Sequence, residues 1–115
     1  MANFEGAYLE DVRWEGCYLD GANFKHSILR RSSFNYATTM FDTDLSGADL
    51  TNCVFDRTDI SRIIIDPYTV THGIYGYVNL CGQYMSAADG FFQLNEMKKS
   101  GGAKGGGEIA IAFNV

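Results

Sequence analysis

Large apolar residues recur at every fifth position through the first half of the chain, from Ala2 to Ile65. A smaller residue, in most cases Ala, Ser, Thr, Cys or Val, lies two positions before each of them, and one extra residue near Ala37 interrupts the spacing. Internal periodicity of this kind predicts stacked repeats. The large residues are Phe4, Leu9, Trp14, Leu19, Phe24, Leu29, Phe34, Met40, Leu45, Leu50, Phe55, Ile60 and Ile65.

A period of five residues fits neither an α-helix nor a straight β-strand. On a helix, at about 100° per residue, each step of five would rotate the large side chain by roughly 140°, so no apolar stripe would form. On a strand, side chains alternate between faces, so an odd period would send successive large residues to opposite sides. The spacing therefore indicates a backbone that turns a corner every five residues, with the large and small positions directed inward.

Three of the fives, Ala2-Asn3-Phe4, Ala22-Asn23-Phe24 and Ala48-Asp49-Leu50, come closest to the pattern A-(D/N)-L-x-x. In this pattern and its repetition over residues 2–65, the chain resembles the pentapeptide-repeat family. The resemblance implies an all-β fold, a right-handed quadrilateral β-helix of about three coils with about twenty residues in each. Residues 66–115 are not part of the resemblance.

Positions about twenty residues apart would stack in such a coil, and the sequence is sorted accordingly. Trp14, Phe34 and Phe55 would share one side, where aromatic rings gain from stacking on each other. Opposite charges at outward positions would also pair between coils and fix their register. The expected charge pairs are Glu10 and Asp11 with Arg30 and Arg31, Glu5 with Lys25, and Asp42 with Arg62.

The chain changes character at Asp66-Pro67, because proline cannot donate to a β-ladder. We predict that residues 2–65 form the β-helix and that residues 66–99 form a capping segment, with one or two short strands between residues 68 and 84. Tyr75 and Tyr77 lie in this stretch. Two interpretations of it remain open, a lid over the last coil and a tyrosine-rich contact surface.

A short helix is predicted within residues 86–99, with Asp89 as its N-cap. Its apolar face would be Phe91, Leu94 and Met97. Residues 100–107 read as a Gly-rich linker. Residues 108–115 alternate as a strand does, and this tethered terminal strand is expected either to fold back onto its own chain or to add to a neighbouring sheet. The predicted contact residues of that strand are Ile109, Ile111, Phe113 and Val115.

The first coil begins at residue 2, so the sequence predicts an uncovered end. Phe4, Leu9 and Trp14 are expected to be exposed there, together with unpaired backbone groups. Open edges of this kind are usually covered or paired. Phe4 and Trp14 are therefore predicted interaction residues.

Composition excludes several functions. The net charge of −5 disfavours direct nucleic-acid binding, which needs a basic footprint. No apolar run is long enough to span a membrane, and the acidic start does not read as a signal peptide, so we expect a cytoplasmic protein, or a virion protein if it is phage-encoded. Cys17 and Cys53 are expected to be free buried thiols.

No residues are arranged for catalysis. The sequence has no CxxC or HxxxH spacing, and neither His26 nor His72 is placed beside a nucleophile. We therefore expect no catalytic residues, no metal, no cofactor and no enzymatic activity.

Two functions of different classes fit these features. The first is a structural assembly protein that forms a homo-oligomer or larger assembly with protein partners, such as a capsid-decorating or tail component of a phage or virus. The second follows from the resemblance: some pentapeptide-repeat proteins imitate duplex DNA and bind a topoisomerase. About three coils would make a rod only about 15 Å long, which is short for that role.

Overall fold

The computed structural model describes residues 1–99, which contain four β-strands followed by one α-helix. The strands form one sheet in the order β1-β2-β3-β4, in which β1–β2 and β2–β3 are parallel and β3–β4 is antiparallel. Residues 100–115, with the predicted linker and terminal strand and the contact residues Ile109, Ile111, Phe113 and Val115, lie outside the described residues. The elements are β1 Ser33–Asn35, β2 Val54–Asp59, β3 Tyr75–Leu80, β4 Gln83–Ser86 and α1 Ala87–Lys99.

Parallel pairing also occurs at single residues outside the strands, and it forms four columns. The first column joins Asn3, Asn23, Asp44 and Ile64, so its members are 20, 21 and 20 residues apart. We call one passage of the chain through the four columns a rung. The first rung is residues 2–21, the second 22–42, the third 43–62 and the fourth 63–80. Each rung therefore stacks on the one before it as in a β-helix.

A β-turn closes most of the five-residue steps. In the first step the N–H of Ala7 donates to the C=O of Phe4 (3.0 Å), and Gly6 has a φ of 70°. A positive φ at the third residue is the mark of a type II turn. Glycine meets this demand at no steric cost, but Arg31 and Asn52 also adopt it, with φ of 61° and 59°.

The turn at Ala37 has a different form because it contains the extra residue. Here the N–H of Thr38 donates to the C=O of Asn35 (2.9 Å), and the side chain of Asn35 accepts a hydrogen bond from the N–H of Ala37 (3.1 Å). The hydroxyl of Thr38 then donates to the C=O of Trp14 one rung earlier (2.6 Å). The insertion is therefore absorbed within one corner, after which Thr39 pairs with Tyr18 of the first rung, although within residues 1–99 no bridge joins Thr39 to the third rung.

The same corner recurs at residues 66–69, where the N–H of Thr69 donates to the C=O of Asp66 (3.1 Å). Pro67 occupies the second position of this turn, where its fixed φ is favourable. Parallel pairing consequently continues beyond Ile65 and reaches Leu80. The boundary between residues 65 and 66 was predicted because proline cannot donate to a β-ladder. In the structure Pro67 turns the chain, and the ladder continues after it.

Aromatic rings stack along one side of the core, as the sequence predicts. The ring centroids of Trp14 and Phe34 are 6.4 Å apart and those of Phe34 and Phe55 are 4.8 Å apart, with nearly parallel planes. In the fourth rung Gly76 lies opposite Phe55 and has no side chain to extend the stack. Phe91 of α1 extends it instead, with its ring centroid 5.0 Å from that of Phe55. Helix α1 thus closes the fourth-rung end of the core.

Helix α1 is capped by Ser86, whose hydroxyl oxygen accepts a hydrogen bond from the N–H of Asp89 (3.1 Å). The prediction that Asp89 is the N-cap was wrong, because an N-cap oxygen must reach an N–H two or three residues further on. Asp89 lies in the first turn, where its charge still suits the helix dipole. The residues of the predicted apolar face are buried: Phe91, Leu94 and Met97.

Charge pairs connect neighbouring rungs, although not always as predicted. Lys25 lies 3.8 Å from Asp44 and does not pair with Glu5, so it bonds to the rung after it and not to the rung before it. Exposed pairs of this kind contribute little stability but favour one register. Three predicted pairs are confirmed: Asp11 with Arg31 (2.8 Å), Glu10 with Arg31 (3.4 Å) and Asp42 with Arg62 (3.2 Å). Arg30, which was predicted to pair with the first rung, pairs with Asp49 of the third rung (2.6 Å).

Candidate interaction surfaces

The outer face of the sheet carries three exposed tyrosines. Tyr75 and Tyr77 lie two residues apart on β3, so both point outward, and they are 58% and 64% exposed. Tyr84 of β4, also 64% exposed, pairs with Asn79, which places it on the same face and diagonal to Tyr77. We call Tyr75, Tyr77 and Tyr84 the tyrosine face. The first two of these were predicted as interaction residues; the structure brings them together with the third.

The strand beside the tyrosine face, β2, carries charged side chains. Val54 lies opposite Tyr75 in the sheet, and Asp56 lies opposite Tyr77. The carboxylate of Asp56 is 3.4 Å from the guanidinium of Arg57. Phenol groups combine an apolar ring with a hydroxyl that can donate or accept, which suits protein interfaces. The face can therefore bind a partner by packing and hydrogen bonds, with the charges of Asp56 and Arg57 at its side.

An open strand edge adjoins the tyrosine face. Within residues 1–99, β4 pairs with β3 alone. The turn between the two strands, Cys81-Gly82, has positive φ at both residues (53° and 89°), which is typical of a tight type I′ hairpin. An unpaired edge can accept a strand from another chain.

At the opposite end of the molecule, Phe4 and Trp14 lie together, with ring centroids 5.5 Å apart. The expectation that Trp14 is exposed was wrong, since only 8% of its surface is accessible. It is covered because Phe4 and Phe24 pack edge-on against it within the core. Phe4 itself is half-buried. The periodicity correctly predicts that both side chains point into the first rung. The predicted exposure of Trp14 at the end of that rung was too large.

The cysteines are arranged for packing, not for reaction. All three are free thiols. Burial raises the pKa of the Cys53 thiol to about 12, and this thiol donates to the C=O of Leu29 (2.9 Å). Burial also raises the pKa of Cys81. Because the reactive form of cysteine is the thiolate, neither is suited to be a nucleophile at neutral pH.

A cleft of about 240 Å³ lies between the fourth rung and α1, and its walls include Thr71, Ile74 and Phe92. Asp66 also borders it. Burial by itself raises the pKa of Asp66, but hydrogen bonds from the N–H groups of Gly47 and Tyr68 and from Thr69 outweigh it, so the pKa lies below its usual value. The Asp66 carboxylate is therefore already hydrogen-bonded within the turn at residues 66–69 and to Gly47. Within residues 1–99 no group of three or more His, Cys, Asp or Glu side chains could hold a metal.

A family model described as Pentapeptide repeats, in 8 copies, matches residues 2–35 and 40–64. The chain belongs to the pentapeptide-repeat family. The gap in the match coincides with the corner that absorbs Ala37. No curated protein matches this chain. No helix in the part of this pentapeptide-repeat protein that the structure describes is long and apolar enough to cross a membrane.

The fourth rung and Tyr84 are the features that sequence reasoning missed. Of the four positions of the fourth rung that would hold large residues, two do, Ile65 and Leu80, but the two between them in this pentapeptide-repeat protein are Thr71 and Gly76. The five-residue pattern of large residues therefore cannot be recognised from the sequence after Ile65. One signal was available, since Asn35-Tyr36-Ala37-Thr38 and Asp66-Pro67-Tyr68-Thr69 share an Asn or Asp followed three residues later by Thr.

Proposed function

We propose that this pentapeptide-repeat protein is a non-enzymatic assembly protein that binds protein partners, including further copies of itself, through the tyrosine face. The observation that carries the proposal is the grouping of Tyr75, Tyr77 and Tyr84 on one exposed face. The open edge of β4 beside it supports the proposal, because strand pairing would add main-chain hydrogen bonds to the contact. A stiff stack of rungs would hold this face in a fixed orientation.

The finer architecture belongs to the same proposal. We propose that the rungs wind as a right-handed quadrilateral β-helix, with one column of paired residues on each side. The columns of paired residues and the turns that close most five-residue steps support this arrangement. A flat side is suited to repeated contacts, because a strand-lined surface presents side chains at fixed spacings.

The setting we propose is a repeated assembly, such as a phage or virus particle in which the protein decorates the capsid or forms part of a tail. A DNA mimic that binds a topoisomerase has less support. Carboxylates that such a mimic would present, including those of Asp11, Asp42 and Asp49, pair with arginines of neighbouring rungs. In a gyrase supercoiling assay we expect no inhibition at equimolar protein.

The test is the assembly state of matched variants. The double variant Tyr75→Ser/Tyr77→Ser removes most of the tyrosine face, whereas Tyr18→Ser/Tyr68→Ser removes two tyrosines elsewhere that are even more exposed. In sedimentation velocity we expect the wild type and the second variant to form species larger than a monomer and the first variant to lose them. A wild type that stays monomeric at high concentration, or an equal loss in both variants, would contradict the proposal.

A further inference from the structure

The first rung has an open backbone face. In the second rung, main-chain groups of the four column residues bond back to the first rung. The N–H groups of these residues donate to Ala2, Ala7, Val12 and Cys17, and their C=O groups accept from Phe4, Leu9, Trp14 and Leu19. In the first rung the corresponding N–H and C=O groups have no hydrogen-bond partner within residues 1–99. They belong to Asn3, Tyr8, Arg13 and Tyr18.

These groups occur on all four columns, so the open face is the whole end of the molecule and not one strand edge. Behind it lie the half-buried side chains of Phe4 and Leu9. The indole N–H of Trp14, in the same rung, is buried and has no hydrogen-bond partner within the described residues. Unpaired backbone and buried donors are costly, and proteins usually pair or cover them. The face is therefore ready to accept strands from another polypeptide.

The rim of this face is acidic. The first rung has one cation, Arg13, against five carboxylates. Arg31 of the second rung pairs with Glu10 and Asp11. The other three carboxylates, of Glu5, Glu15 and Asp20, have no cation within 4 Å among residues 1–99. Their contacts with the second rung are neutral: the Asn23 side-chain amide, the Ser33 hydroxyl and the N–H of Phe41.

The second rung indicates which side chains fit such a rim. It covers the other side of the first rung, and its cation Arg31 pairs with Glu10 and Asp11. Lys25 and Arg30 pair instead with Asp44 and Asp49 of the third rung. An arginine at an outward position of an adjacent layer is therefore a side chain that this rim accepts. We propose that the open face of the first rung docks a second polypeptide that lays strand backbone along the columns and carries Arg or Lys at its outward positions. This partner differs from the one proposed for the tyrosine face.

A second copy docked first rung to first rung is the wrong occupant. It would satisfy the backbone, but it would bring two rims of net charge −4 together, from five carboxylates and one cation in each. Like charges placed opposite one another oppose such a contact. A copy whose first rung has been made basic, however, has both the strand geometry and the charge that we propose. It can serve as the probe.

The probe is the variant Glu5→Lys/Glu15→Lys/Asp20→Lys, whose net charge is −5 + 6 = +1. The control is Asp56→Lys/Asp89→Lys/Glu96→Lys, which has the same net charge but an unchanged first rung. We expect the wild type mixed with the probe at low salt to form a one-to-one complex in sedimentation velocity and native mass spectrometry. The complex should be lost at high salt. When both components carry Tyr75→Ser/Tyr77→Ser, so that the tyrosine face does not assemble copies of the chain, the control should form none.

Backbone pairing is tested by two substitutions of Tyr8 in the wild-type component. Tyr8→Pro removes an N–H that has no partner in the chain, whereas Tyr8→Ser keeps it. We expect Tyr8→Pro to weaken the complex at least tenfold and Tyr8→Ser to leave it within twofold, with both variants unfolding at the wild-type temperature. If Tyr8→Pro unfolds at a lower temperature, Arg13→Pro and Arg13→Ser repeat the comparison.

Three results would overturn the inference. One is the absence of a complex with the probe, and the second is an equal complex with the control, which would indicate nonspecific charge attraction. The third is loss of the complex when both components carry Tyr75→Ser/Tyr77→Ser, since the contact would then lie on the tyrosine face. Survival of the complex in that background supports the first-rung surface whether or not the tyrosine face assembles copies of the chain.

Discussion

Gly76 shows how one residue determines where the core is filled. Its φ of 105° lies in the region that glycine adopts readily, and a Cβ there would collide with the main chain of Phe55. Because Gly76 has no side chain, the space above Phe55 is open to Phe91. The absence of a side chain at Gly76 in the fourth rung thus allows a residue of α1 to fill the core.

We expect Gly76→Ala to destabilise the chain by about 2–4 kcal/mol, because both the backbone conformation and the close contact penalise a side chain. Gly6→Ala is the matched control, since Gly6 also has a positive φ but nothing lies within 4 Å of its Cβ position. It should cost only about 1 kcal/mol. Urea unfolding of the two variants makes the comparison, and equal losses would show that contact with Phe55 is unimportant.

The thiol of Cys53 contributes a dependence of stability on pH. Its pKa is raised to about 12 in the folded chain, from an ordinary value of 9.0. Below pH 9 both the folded and the unfolded chain hold the proton, so this contribution is fully present. Above pH 9 the unfolded chain releases the proton while the folded chain retains it, so stability falls as pH rises towards 12.

We therefore expect the wild type to lose stability relative to Cys53→Ala as pH rises above 9, by up to about 1.4 kcal/mol per pH unit. The comparison with the alanine variant cancels the titration of tyrosines and lysines, which both chains share. Denaturant unfolding at pH 8, 9 and 10 measures it. Curves that stay parallel over this range would mean that the thiol is not buried in the folded chain.

At the scale of the element, the sequence predicts correctly those features that follow from the five-residue spacing. The five-residue spacing predicted the family, the inward positions and the aromatic stack, because a corner after every fifth residue brings Trp14, Phe34 and Phe55 to one side. The spacing does not predict features that depend on residues outside the repeat. Pro67 occupies a turn, and Phe91 replaces a missing core side chain from a distant helix.

The tyrosine face could be predicted in part for the same reason. Alternation along one strand placed Tyr75 and Tyr77 on the same face. Tyr84 joins them only through the register of the hairpin, which depends on a tight turn at Cys81-Gly82. The exposure of Trp14 was overestimated because a repeat pattern identifies inward residues but not how closely Phe4 and Phe24 pack on them.

The N-cap of α1 offers a test in which the sequence-based expectation and the structure differ. Ser86→Ala removes the hydroxyl that accepts from the N–H of Asp89 and should cost about 1 kcal/mol. Asp89→Ala removes the side-chain oxygens as well as the charge in the first turn, and it should cost less than about 0.5 kcal/mol, because those oxygens do not cap the helix. Thermal unfolding of both variants distinguishes the two assignments. A larger loss for Asp89→Ala than for Ser86→Ala would restore Asp89 as the cap.

At the scale of the whole molecule, the rungs depend on one another. A repeat stacked in one dimension contacts only its neighbours, so its stability comes largely from the interfaces between rungs. The third rung buries Leu50, Phe55 and Ile60. Above it lie the fourth rung and α1, and Phe91 covers Phe55. The family match ends at residue 64, but the stacked structure does not.

We therefore expect a fragment of residues 1–65 not to fold, although it contains every repeat that the family model recognises. Its third rung would lose the N–H and C=O partners supplied by Val70 and Asn79 and would expose Phe55 to water. Circular dichroism and urea unfolding of the fragment and of the full chain measure this, with the full-chain variant Pro67→Ala as the control. Pro67→Ala should fold, because alanine is tolerated at the second position of this turn. Cooperative unfolding of the fragment would mean that the first three rungs are stable without the fourth, and α1 would then be an accessory and not part of the fold.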